Sequence, residues 1–188
     1  DGCGLALYAP PTCCLRTPAN GPPPACDPVP GLLCVSPVVP ANDRACVLLG
    51  AIAVQESGGT ARVQHLGPGH SWWQFERAGG AAGVLTHPAS RLKIRAVCAE
   101  LVIPADLNTV YETMVWNDNL AVAMARLLLW TDVALLPPDG NASDSWLLYL
   151  KLWRPGKPRA ADWPANYAVS AAAVAKMPTR EPSKDYTF

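Results

Sequence analysis

The sequence has no surplus of either charge. Fifteen basic residues offset fifteen acidic ones in a chain of 188. That balance argues against a general binder of nucleic acid or of anionic membranes, which carries a basic excess. No uninterrupted apolar run approaches the ~20 residues of a membrane span, and no secretory signal is visible. The start at Asp1 is read as an initiator Met or a longer leader lost or left out of the numbering. Cys-x-x-Cys pairs are missing, which argues against a zinc ribbon. Alternating strand patterns and internal repeats are missing as well. With 50% hydrophobic and 16% charged residues, the composition is nonetheless that of a globular domain with a sizeable core.

What is present divides the chain in two. Residues 1–41 hold ten of the twenty prolines and six of the seven cysteines lie at or before Cys46. Proline lacks an amide hydrogen and clashes with the preceding helical turn, so "TPANGPPPACDPVPG" cannot continue a helix. This segment reads as an extended attachment arm. Two readings of the cysteines stand: disulfides in a loop-rich arm, or reduced thiols acting as small hydrophobes, with Cys46 and Cys98 on helical faces.

From Asn42 the pattern turns helical. "NDRACVLLGAIAVQESGG" begins at an N-cap, Asn42 or Asp43, and ends at Gly58-Gly59. Val47, Leu48, Ala51, Ile52 and Gln55 share one face. Further helices are expected in "THPASRLKIRAVCAELVI", capped by Thr86, in "DLNTVYETMVW", in "DNLAVAMARLLLWTDVALL", capped by Asp118 and ended by Pro137-Pro138, in "SDSWLLYLKLWRPG" from a Ser cap, and in "WPANYAVSAAAVAKM". The fold class is mainly α, with a helical domain over 42–178 and a polar tail over 179–188.

Glu56 is the carboxylate best placed for chemistry. It sits in the last turn of an apolar helix, where carbonyl dipoles and desolvation both favour the protonated form that a general acid needs. The stretch "GPGHSWWQFERAGG", residues 67–80, follows it. Sugar rings present flat C–H faces that stack on aromatic rings, and hydroxyls that need amides and carboxylates. Trp72, Trp73, Phe75 and Gln74 offer both, and at least one of the two tryptophans is expected to plug the core. Glycines 67, 69, 79 and 80 let a polymer approach the backbone. Other groups read as bland. His65 and His70 lack a third metal ligand. Asn141-Ala142-Ser143 fits a glycosylation sequon. "RPGKPR" is a basic turn of solvated surface. No metal and no cofactor are expected.

"QESGG", "GPGHSWWQFE" and "WLLYLKLWRPG" resemble the lysozyme-like superfamily of goose-type lysozymes and soluble lytic transglycosylases. "ARLLLWTD" and "YLKLWRPGKP" are similar to small lysozyme-like proteins of tailed bacteriophages and prophages. The resemblance spans about residues 43–176. It implies that Glu56 of the Glu-Ser pair is catalytic. It also implies that Ser57, Trp72, Trp73, Gln74 and Tyr149 bind substrate. The chain departs from the family pattern where Trp72-Trp73 makes the cleft wall bulkier and where Leu150 follows Tyr149 in place of an asparagine. Typical glycosidases use two carboxylates ~5 to ~9 Å apart. Glu76, Asp118 and Asp132 are available, but nothing in the sequence sets one opposite Glu56, so a one-carboxylate scheme fits the resemblance better. The implied activity is cleavage of the peptidoglycan glycan strand by a phage-virion enzyme, a lytic transglycosylase or a muramidase, acting in the host periplasm. Its arm would dock on other virion proteins. The rival reading is a structural virion component that keeps the fold without catalysis.

Overall fold

A computed structural model describes residues 42–177. The expected arm over 1–41 and tail over 179–188 lie outside the described residues. Seven α-helices run through the described part: α1 (Asp43–Ser57), α2 (Ala82–Thr86), α3 (Arg91–Glu100), α4 (Leu107–Thr113), α5 (Asp118–Trp130), α6 (Ala142–Trp153) and α7 (Trp163–Ala175). A π-helical turn, Arg77–Ala81, leads into α2. The described residues contain no strand, only two isolated bridges at His70, to Val63 and to Phe75. The mainly α class stands. Among these residues no helix is long and apolar enough to cross a membrane.

α1 is the centre of the domain. Asn42 caps it by accepting from the Ala45 amide at 2.9 Å, and Gly58 closes it in the left-handed region, with φ of 65°. One broad buried face was expected; instead α1 is buried nearly all round, including Leu49, Gly50 and Ala53. α7 covers one side and α5 another. α7 turns Trp163, Tyr167, Ser170 and Val174 inward, and Ser170 donates to the Val47 carbonyl of α1 at 2.7 Å. α5 buries nine of its thirteen residues, Leu120 to Leu129 among them.

Several helix ends differ from those read in the sequence. α3 starts at Arg91 rather than Thr86, because the chain first makes the short α2 and then turns over His87–Ser90, where the buried Ser90 hydroxyl donates to the Val84 carbonyl at 2.7 Å. α5 is capped by Asn117, which accepts from the Leu120 amide at 3.0 Å, while Asp118 turns to Arg62 and Trp72. It ends at Trp130 and not at the prolines: Thr131 bonds the Leu128 carbonyl at 2.7 Å, and Val133 and Leu135 then emerge fully into solvent. α6 is capped by Asn141, one residue before the helix, rather than by a serine. Cys46 and Cys98 are both buried on helices, as small hydrophobes would be.

Candidate active site

The end of α1 opens on a cleft of about 920 Å³. One wall is the segment from Gln64 to Gly83. The other is α6 from Tyr149 onward, with the connection up to Arg159. Glu56 lies between them because α1 stops there: Gly58 donates to the Val54 carbonyl and reverses the chain, and the last turn of α1 carries no basic residue. Glu56 thus sits at the negative end of a helix whose last turn holds no cation to offset it.

Burial pushes the Glu56 carboxyl above the ordinary carboxylate range. The Tyr149 hydroxyl donates to its Oε1 at 2.7 Å and pulls it partway back, as does the charge of Arg159, while the Glu76 carboxylate adds to the rise. The net effect is upward, so protons are retained to higher pH than on an exposed glutamate. Burial and the bond to Glu56 push the Tyr149 phenol far up as well. It therefore stays protonated and acts as a donor. Its ring is held by aromatic packing, stacked on Trp163 at 5.4 Å with 11° between planes and tilted against Trp146 at 5.2 Å.

A second group of bonds fixes the other side of Glu56. Gln55, its chain neighbour, is almost wholly buried although polar. Its Nε2 donates to the Arg159 carbonyl at 3.0 Å, and its Oε1 accepts from Asn166 at 2.7 Å. Arg159 in turn donates Nη2 to the Gln55 carbonyl at 2.7 Å. This three-way latch ties the end of α1 to the α6–α7 connection and keeps the Arg159 guanidinium beside the carboxyl. Sequence reasoning missed Arg159 and Asn166, and counted Gln55 only as part of an apolar face. A lone amide among Val47, Leu48, Ala51 and Ile52 was the available signal.

The aromatic stretch is arranged differently from its expected role. Trp73 is 1% exposed, and its Nε1 donates to the Leu49 carbonyl at 2.9 Å; it fills the core and cannot bind sugar. Trp72 is partly buried away from the cleft lining, its Nε1 on Asp118 at 3.0 Å and the Arg62 guanidinium over its ring at 4.5 Å. Ser57 also stays out of the lining: its hydroxyl bonds the Ala53 carbonyl at 2.8 Å and accepts from the Gly59 amide, so it finishes the helix. Gln74 does line the cleft, yet its Nε2 is committed to the carbonyls of Ala61 and Ser71. Those bonds hold a loop in which Ser71 and Gln74 have φ of 64° and 49°, unusual for residues with side chains. Of the aromatic residues that line the cleft, Phe75 and Tyr149 are each 2% exposed, and Trp153 is the one left partly accessible. Trp153 stands one helical turn beyond Tyr149, and this i, i+4 spacing in "YLKLW" could have found it.

Of the three other carboxylates, only Glu76 lines the cleft, and it is exposed. Asp118 forms a bidentate ion pair with Arg62. Asp132 pairs with Lys151 at 2.6 Å, which holds its carboxyl below the usual range. Among the described residues no three His, Cys, Asp or Glu side chains gather as metal ligands would. His70 stacks on Tyr111 at 3.8 Å and bonds the Tyr111 carbonyl. Compared with models of known protein families, with curated proteins and with solved structures, the chain matches none.

Proposed function

We propose that this chain is a lysozyme-like glycosidase that cleaves the peptidoglycan glycan strand, a lytic transglycosylase or a muramidase, carried on a phage virion to open the host wall locally. One observation carries the reading. A single half-buried glutamate, biased toward its protonated form, accepts a hydrogen bond from a buried tyrosine and opens on a cleft that the partly accessible Trp153 also lines.

In this scheme Glu56 donates its proton to the glycosidic oxygen as the bond to the anomeric carbon breaks. The carbonyl oxygen of the neighbouring N-acetyl group bonds to that carbon and carries the positive charge. The Glu56 carboxylate, steadied by Tyr149 and Arg159, then takes a proton from the attacking oxygen. If that oxygen is the sugar's own 6-hydroxyl, the product is an anhydro sugar; if it is water, the product is hydrated. In both cases Glu56 ends protonated and the N-acetyl group is restored.

Purified peptidoglycan incubated with the protein tests this directly. Soluble muropeptides should appear, with mass spectrometry separating anhydro products from those heavier by one water. Glu56→Gln should release ~100- to ~10,000-fold less, the share general acid–base catalysis contributes. No release by the wild-type chain, or equal release by the glutamine variant, defeats the assignment.

A further inference from the structure

The two walls of the cleft carry opposite characters. The wall from Gln64 to Gly83 is built of glycines, Pro68 and Phe75, with one carboxylate, Glu76. The facing wall presents four cations: Lys151, Arg154, Lys157 and Arg159. Two of these are neutralised locally, Lys151 by Asp132 at 2.6 Å and Arg159 by Asp162 at 3.0 Å. Arg154 and Lys157 are exposed and have no carboxylate partner among the described residues; Arg154 Nε reaches only the Lys151 carbonyl at 3.4 Å.

The turn that bears them is held in place. Arg154 ends α6 in the left-handed region with φ of 50°, Pro155 and Pro158 restrict the backbone on either side of Lys157, and the Gln55 latch anchors the far end at Arg159. The backbone that carries the cations is therefore restrained along this rim. The stretch "RPGKPR" reads in sequence as solvated surface, but the fold makes it one side of the cleft.

We infer that this rim is a subsite for the acidic substituents of the strand lying in the cleft. The inference rests on the peptidoglycan reading and adds a substrate class to it. In the bacterial glycan every second sugar carries a lactyl ether that ends in a carboxylate, either free or extended by an acidic peptide. A neutral chitin oligomer offers the same N-acetyl groups with no such charge. A strand seated with its acidic substituents toward Arg154 and Lys157 gains two ion pairs that chitin cannot make. Exposed ion pairs are individually weak, so two of them correspond to a preference of roughly threefold to thirtyfold, lost as salt screens them.

The test uses the full chain carrying Glu56→Gln, so that bound strands are not cut. Its affinity is measured by calorimetry for three soluble strands of equal length: peptide-bearing glycan, glycan stripped of peptide to leave free lactyl carboxylates, and neutral chitin oligomer. Only the stripped strand should bind more tightly than the neutral one if the free lactyl carboxylate is read, only the peptide-bearing strand if the peptide carboxylates are read, and both if the rim takes either charge. Adding Arg154→Gln and Lys157→Gln should collapse the preference toward one, and high salt should do the same. Equal affinity for acidic and neutral strands, or a preference that survives the double substitution, overturns the inference, as does absence of binding to any acidic strand. The catalytic reading is tested separately by the wild-type digestion. Acidic preference in a protein that cuts nothing keeps the rim and removes the glycosidase; cutting without preference does the reverse.

Discussion

Tyr149→Phe removes one oxygen atom and probes the site without rebuilding it. The phenol is 2% exposed, and its ring packs on Trp163, Trp146 and Trp153. Phenylalanine preserves those contacts, so the fold should lose no more than about 1 kcal/mol, the net worth of a typical hydrogen bond. The catalytic loss should be larger. When Glu56 gives up its proton, the carboxylate left behind accepts the Tyr149 hydrogen bond seen at 2.7 Å. A hydrogen bond to a charged group contributes about 1.5–3 kcal/mol, and about 1.36 kcal/mol is tenfold in rate. Turnover should therefore fall roughly tenfold to a hundredfold. The pH profile should move too. The Tyr149 bond lowers the Glu56 pKa against the larger rise from burial. Removing it lets the carboxyl rise further, so the limb at which activity is lost with increasing pH should shift to higher pH. Initial rates on solubilised glycan strands across pH, paired with thermal melts, read both effects. An unchanged rate and an unchanged alkaline limb in a variant of normal stability would refute the role assigned to this bond.

Three further outcomes follow from the same geometry. Glu56→Gln should stabilise the folded chain at alkaline pH. The native pKa is raised above the ordinary 4.5, so the stability tied to the protonated carboxyl is fully present below that value and is lost as pH rises through the native pKa. The glutamine variant has nothing to lose there, so melts of the two proteins should diverge in its favour from acid to alkaline buffer; divergence in the opposite sense contradicts the burial argument. Trp73→Ala should cost about 3–5 kcal/mol in denaturant unfolding, because a core ring is deleted and the Leu49 carbonyl loses its donor; a loss below about 1 kcal/mol would return the ring to the cleft. Gln55→Ala should cost about 1–3 kcal/mol by leaving the Asn166 amide and the Arg159 carbonyl without their partner, and a variant as stable as the wild type would dismiss the latch.

The parts of this fold that sequence makes legible are those decided within one helical turn. Asn42 and Gly58 bracket α1 because a side-chain cap and a left-handed closure are local chemistry. Glu56 stands out because it is a carboxylate closing a helix that is apolar from Val47 to Val54. The same local logic misleads where a competing contact comes from elsewhere. Apolar residues continue past α5 as though the helix did, yet Thr131 ends it and Asp132 is drawn to Lys151, nineteen positions on in sequence. Gly79 kinks the π-helical turn Arg77–Ala81 with a non-helical backbone, and Gly80 follows it inside that turn. A Cβ on Gly80 would come within 2.8 Å of the Phe75 ring, a constraint set by tertiary packing and not by flexibility. The tryptophan pair shows the limit most clearly. Composition says that these rings could stack on sugar; only the bonds to Leu49 and Asp118 decide that they face inward and aside.

The same limit explains why the acid's environment was only half visible. A general acid must hold its proton beforehand and tolerate the negative charge afterwards, and no single neighbour serves both needs. Here the two are divided among elements distant in sequence. Burial at the end of α1 favours the proton, while Tyr149 of α6 and Arg159 of the following connection favour the carboxylate. Burial acts on Glu56 through α1, whose long packing partner is α7. Arg159 acts through the Gln55 latch, which is itself completed by Asn166 of α7. Both opposing influences therefore bear on the end of α1, a helix that α7 packs against. A change that loosens that packing would both expose Glu56, lowering its pKa, and release Arg159, raising it. The first effect is the larger in the intact site, so the net result of loosening should be a Glu56 carboxyl closer to an ordinary glutamate, with a lower pKa. Tuning of the carboxyl and stability of the domain are thus coupled through α1 and its packing against α7.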